Sequence, residues 1–129
     1  MKEFGQHEYP LQEETYLLNR IAMEVHRILG RGFLEVVYKD ALEYELKERE
    51  IPYKREKEYT IQYKKAVLPR KYNADFIVFD QIIVEAKAQR GIAEDHYSQT
   101  LNYLAVSKCK IGLIYNFGEP SLVIKRVIL

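Results

Sequence analysis

Residues 82–88, IIVEAKA, constrain this chain more than any other stretch. Ile82, Ile83 and Val84 in succession, followed by Ala86 and Ala88, read as a strand buried on both faces. Glu85 and Lys87 interrupt it, two residues apart and therefore on one face. A carboxylate in a core strand is costly unless its charge is compensated, so the surroundings of Glu85 have to be worked out from the neighbouring strand.

That neighbour is YNADFIVFD, residues 72–80, which forms a hairpin with it. A two-residue turn at Asp80–Gln81 would pair Asp75 with Ala86 and put Asp75 and Glu85 on opposite faces. A three-residue loop, Phe79–Asp80–Gln81, pairs Val78 with Ile82 and Asp75 with Glu85. One face then reads Asp75, Ile77, Ile83, Glu85, Lys87, and the other Ala74, Phe76, Val78, Ile82, Val84, Ala86, Ala88. The second register separates polar from apolar groups, and a slip of one residue would put the charges in the main core. It also sets two carboxylates side by side with one lysine, Lys87, to compensate them. A hard divalent cation held by oxygen ligands, Mg2+ or Mn2+, would compensate both. Such an ion polarises a phosphate, and Lys87 would orient or deprotonate the attacking water and stabilise charge on the phosphate. The competing reading is an ordinary ion pair on a solvated sheet face.

The rest of the chain reads as one α/β domain in the order ααβββαββ. Residues 1–14 are polar and aperiodic and are expected to be loose, with the domain spanning 15–129. Leu18, Ile21, Ala22, Val25, Ile28 and Leu29 give a first helix over 15–29, closed by the glycines of GRG. Val37, Ala41, Leu42 and Leu46 mark a second helix over 34–50, stopped by Pro52. EKEYTIQYK alternates as a strand, AVLPR reads as a connection, and the hairpin follows. Residues 93–108 form a third helix with Asp95 as its N-cap. IGLIYNF and LVIKRVIL complete the strands. His26, beside the apolar stripe of the first helix, reads as a satisfied core histidine. The single cysteine, Cys109, excludes an internal disulfide and suits a reducing, cytoplasmic setting. MKEFGQHEYP lacks the apolar core of a signal peptide, and no run approaches the about 20 residues of a membrane span. The net charge of +1 is uninformative, but its distribution is not. Lys54, Arg55, Lys57, Lys64, Lys65, Arg70 and Lys71 crowd residues 54–71 against only Glu56 and Glu58. This segment suits a nucleic-acid backbone or a solvated face. Tyr53, Tyr59, Tyr63 and Tyr72 interleave with it, available for base stacking or for packing.

Four motifs in order resemble the GxxExxY family of the PD-(D/E)XK nuclease superfamily, over roughly residues 16–128. VHRILGRGFLEVVYKDALEYEL carries Gly32, Glu35 and Tyr38; ADFIVFDQIIVEAKA is similar to the metal-binding hairpin; HYSQTLNYL is similar to a glutamine–tyrosine helix; GLIYNFG is similar to the penultimate strand. The superfamily's proline before the first aspartate is replaced by Ala74. The resemblance implies a restriction-endonuclease-like single domain with a mixed β-sheet flanked by helices. It implies Asp75 and Glu85 as metal ligands with the Ala86 carbonyl as a third oxygen, and Lys87 as the catalytic lysine. Glu35 would be an additional carboxylate near the metal. It lies with Tyr38 and Leu42 at i, i+3, i+7 on one helix face, where it would also serve the helix dipole. His96, Gln99 and Tyr103 repeat that spacing and would contact substrate or the lysine, or form the polar flank of an amphipathic helix. Tyr38 is a substrate contact or a packed aromatic.

The expected function is a Mg2+- or Mn2+-dependent nuclease acting on nucleic acid, with DNA as the expected substrate and Lys64, Lys65, Arg70 and Lys71 as backbone contacts. The alternative is a non-catalytic nucleic-acid-binding or assembly module that keeps the nuclease fold. A domain this short needs a second copy or a partner to grip a duplex, and no membrane is involved.

Overall fold

The computed structural model describes residues 11–92 and 94–129. Among these residues, three helices and five strands follow in the expected order: α1 (Gln12–Leu29), α2 (Glu35–Glu48), β1 (Tyr53–Tyr63), β2 (Ala66–Val78), β3 (Ile82–Lys87), α3 (Glu94–Ser107), β4 (Ile111–Asn116) and β5 (Val123–Ile128). The sheet order is β1-β2-β3-β4-β5, antiparallel at every step except the parallel β3–β4 pair, which α3 connects. No helix among the described residues is long and apolar enough to cross a membrane.

The sheet is sandwiched. On one side α1 and α2 supply Leu18, Ile21, Val25, Tyr38, Leu42 and Leu46 to a core with Phe76, Val78, Val84 and Tyr115. On the other side Tyr103 and Leu104 of α3 pack on Ile77, Ile83 and Ile114. Strands β3 and β4 are therefore buried on both faces, which explains their unbroken apolar runs. Buried His26 is satisfied as expected: its Nε2–H donates to the Glu119 carbonyl at 2.9 Å, and its ring stacks on Phe117.

Several expectations are corrected. α1 begins at Gln12, inside the segment expected to be loose, and residues 1–10 lie outside the described residues. AVLPR is the outer part of β2 rather than a connection. The strand tolerates Pro69 because the β1–β2 register shifts opposite it, between Thr60 and Gln62. Asp95 is in the first turn of α3, where it faces the helix dipole, instead of capping it. Ala74 packs with Tyr103 and Ile77 on the α3 side, away from α1 and α2. The alternation that would have kept Ala74 on the face of Phe76 is broken where β1 is distorted: Glu56, between the pairs Arg55–Phe76 and Lys57–Ala74, has φ 56°.

The GLIYNFG segment closes the sheet around the end of β3. The Phe117 N–H donates to the Lys87 carbonyl at 2.7 Å. The buried Asn116 side chain accepts from the Gln89 and Gly118 amides and donates to the Gly91 carbonyl. A side chain at Gly118 would collide with the backbone of Gln89. Gly118→Ala should therefore destabilise the domain by about 1–3 kcal/mol, as measured by the denaturant midpoint. A wild-type midpoint would show that the two segments are not held this closely.

Candidate active site

The β2–β3 hairpin adopts the register that pairs Val78 with Ile82, Ile77 with Ile83 and Phe76 with Val84. The loop is the three residues Phe79–Asp80–Gln81. Phe79 and Asp80 take left-handed conformations, and the Gln81 N–H returns to the Val78 carbonyl. Continuing the register sets Asp75 against Glu85. Side-chain carboxylates take over there from the backbone ladder: the Asp75 N–H donates to Glu85 Oε2 and the Ala86 N–H donates to Asp75 Oδ2, each at 2.9 Å. Both carboxylates thus lie in the gap between the strands. An antiparallel residue presents its N–H and C=O to the same neighbour, so the Ala86 carbonyl faces this gap too.

Glu85 is 2% exposed. Burial, then the charge of Asp75, pushes its carboxyl from the ordinary value of 4.5 to about 8, against the Asp75 amide and the charges of Lys87 and Lys39. Asp75 has its own counter-ion: Lys39 Nζ of α2 donates to Asp75 Oδ1 at 3.1 Å and meets Glu56 Oε2 at 2.7 Å. Burial works against the Lys39 charge, but Glu56 and Asp75 outweigh it and raise the pKa of the amine. On the α3 side Tyr103, 5% exposed, has its phenol pushed up by burial and then by the charges of Glu85 and Asp75, and its ring meets Tyr72 edge-on. Lys87, two residues on from Glu85, is half-buried, its charge favours the ionised form of Glu85, and it makes no ion pair among the described residues.

Two carboxylates at the end of a strand pair, followed by a lysine two residues on, agree with the match of a family model, the PD-(D/E)XK nuclease superfamily, to residues 12–127. The chain belongs to that superfamily. It is also similar in fold to the crystal structure of SSO0001, with a TM-score of 0.58 and 21% identity, covering 71% of this chain and 48% of that one. This chain thus spans about half the length of that protein. No curated protein matches the sequence.

PD-(D/E)XK nucleases generally depend on a divalent metal, and two observations fit one here. The donors at the gap are all oxygens, and the ionisation of Glu85, which its surroundings disfavour, is what a cation would compensate. Glu35 does not complete the set: no three His, Cys, Asp or Glu side chains gather to hold a cation among the described residues. It is half-buried, one turn before Lys39, and Lys39 is the α2 side chain that reaches Asp75. Tyr38 is corrected as a substrate contact. It is fully buried and stacked on Phe117 at 4.5 Å, with its hydroxyl donating to the Gly30 carbonyl and accepting from the Phe33 amide. It shapes the α1–α2 loop, where Gly32 supplies a φ of 114°. Gln99 is exposed one turn before Tyr103, and His96 is half-buried with its ring 3.4 Å from the Gln89 side chain.

Lys64, Lys65, Arg70 and Lys71 are exposed on the outer part of the β1–β2 hairpin, where β2 no longer pairs with β3. Lys71 is 3.6 Å from Glu58. Arg55, from the same basic segment, is instead structural, bound to Asp40 and Glu43 of α2. Lys39, Glu56 and Asn116 were not singled out as site residues from the sequence. Lys39 had one usable signal, its position four residues after Glu35 on the same helix stripe.

Because the Glu85 pKa is raised on folding, the folded state binds the extra proton. The stability this gives is fully present below about pH 4.5 and lost as pH rises to about 8. Without metal, Glu85→Gln should therefore match wild type at pH 5 and become more stable at pH 8, the gap widening by up to about 1.4 kcal/mol per pH unit between. Thermal melts across this range check it. A mutant less stable than wild type at pH 8 would mean that the charged Glu85 is already compensated.

Proposed function

We propose that this chain is a Mg2+- or Mn2+-dependent nuclease of the GxxExxY type, with DNA as its substrate. The observation that carries this is the carboxylate pair at the end of the β2–β3 ladder, where buried Glu85 has no ion pair among the described residues and Lys87 follows it by two residues on the same strand. Asp75, Glu85 and the Ala86 carbonyl would hold the cation, which would neutralise the two carboxylates and withdraw charge from a scissile phosphate.

The chain's own groups supply the rest. Lys87 orients the attacking water and offers its ammonium to the phosphoryl oxygens as charge develops. The Asn116 and Phe117 contacts fix the backbone from which it projects. Tyr103 closes the α3 side and limits water around Glu85, while Gln99 stands exposed for substrate. Lys64, Lys65, Arg70 and Lys71 track the phosphodiester backbone without reading sequence. A single hairpin arm grips one side of a duplex, so duplex substrates call for a second copy of the chain.

One observation favours the other reading, a nucleic-acid-binding module without turnover. Both Asp75 oxygens are already engaged, by Lys39 and by the Ala86 amide. Magnesium and manganese titrations against single-stranded, duplex and branched DNA separate the two. Wild type should cleave at least one substrate in a cation-dependent manner. Lys87→Ala should slow cleavage by about 10²-fold or more while calorimetry shows cation affinity unchanged or tighter. Binding of DNA without cleavage, at any cation concentration up to millimolar, would contradict the nuclease and leave the module.

A further inference from the structure

Lys39 lies within the first motif stretch, one residue after Tyr38, but is not among the residues that carry the resemblance. Asp75 Oδ2 is committed to the Ala86 amide, so Oδ1 is the oxygen left to face a cation, and Oδ1 is the atom Lys39 occupies. The same ammonium already reaches Glu56 Oε2 at 2.7 Å, closer than its 3.1 Å to Asp75. The lysine and aspartate side chains are 14% and 12% exposed, whereas Glu56 is 49% exposed. Glu56 sits in the ladder position across from Asp75 and holds a left-handed backbone in mid-strand, a conformation that costs a non-glycine residue free energy unless its surroundings impose it. The bonds of Arg55 to Asp40 and Glu43 fix α2 against β1 beside it, so the stem of Lys39 starts from a fixed point.

We propose that Lys39 is a positioning residue for the metal site: an internal counter-ion that holds Asp75 before a cation is bound and passes to Glu56 when a divalent cation takes Asp75 Oδ1. This rests on the nuclease reading of Asp75 and Glu85. Glu56 is the acceptor that lets the ammonium leave without becoming an unpaired charge near the core. Two consequences follow from charge alone. The ammonium competes with the cation, so it sets the cation concentration at which the site fills. Glu56 draws the ammonium away from Asp75, so it favours filling. The pair also favours a small divalent ion, since a monovalent one gains too little at Asp75 to displace the lysine.

The two substitutions give opposite signs, which a plain structural tie between α2 and β1 does not. Breaking a structural Lys39–Glu56 bond from either end would shift affinity in one direction. The test is calorimetric titration of Mg2+ and Mn2+ into the full chain as wild type, Glu85→Gln, Lys39→Met and Glu56→Gln, with thermal melts alongside. The account expects Lys39→Met to tighten the cation by about tenfold or more and Glu56→Gln to weaken it by a similar factor.

If wild type binds through Glu85 but Lys39→Met binds no tighter, or Glu56→Gln no weaker, the counter-ion role is overturned and the nuclease reading stands. If Lys39→Met binds where wild type does not, the role is supported. If neither binds, both readings fall. Should Lys39→Met fail to melt cooperatively, Glu56→Gln decides: weaker binding supports the role, and equal or tighter binding overturns it.

Discussion

The structure depends on one exchange across the gap at the end of the central hairpin: the Asp75 amide donates to the Glu85 carboxylate, and the Ala86 amide to the Asp75 carboxylate. A regular antiparallel pair would satisfy those amides with carbonyls. Using carboxylates instead brings two negative charges into a space closed by α2 on one side and α3 on the other. Burial then disfavours the charge on Glu85, and Lys39 is drawn in to offset that on Asp75. The surrounding elements serve this gap. The three-residue loop sets the register, Asn116 and Gly118 hold the connection after Lys87, and Arg55 ties α2 to β1 next to Lys39.

Much of this was legible because it follows from alternation. The register of β2 on β3 was selected by the rule that Phe76, Val78, Val84 and Ala86 must share an apolar face, and that rule aligned Asp75 with Glu85 before any contact was known. Burial of β3 and β4 on both faces was equally readable from their composition. Where alternation failed, so did the reading. Ala74 was placed on the face of Phe76 but packs with Tyr103 and Ile77, and nothing in YNADFIV signals that break in alternation. AVLPR reads as a connection because the register shift that accommodates Pro69 is a property of two strands together.

The helix residues show a different limit. Periodicity placed Glu35, Tyr38 and Leu42 on one face, but it does not say which charge on a helix meets which charge on a sheet. Tyr38 went into the core as a loop anchor, and Lys39, one position on, reached Asp75. Long side chains reach across such distances, so a helix stripe specifies a neighbourhood and not a partner. Strand alternation and the family likeness both point to the carboxylates and Lys87, while the ion pair that occupies one of them is visible in the structure alone.

A carboxylate pair that lacks full compensation makes stability yield to function, and the central claim is that this holds at Glu85. The most direct measurement is the carboxyl carbon shift of Glu85, followed by NMR against pH with and without millimolar Mg2+. The account predicts titration near 8 in metal-free protein and a displacement to lower pH when Mg2+ is present, because the cation favours the ionised form. A Glu85 that titrates in the ordinary carboxylate range, unmoved by Mg2+, would contradict it.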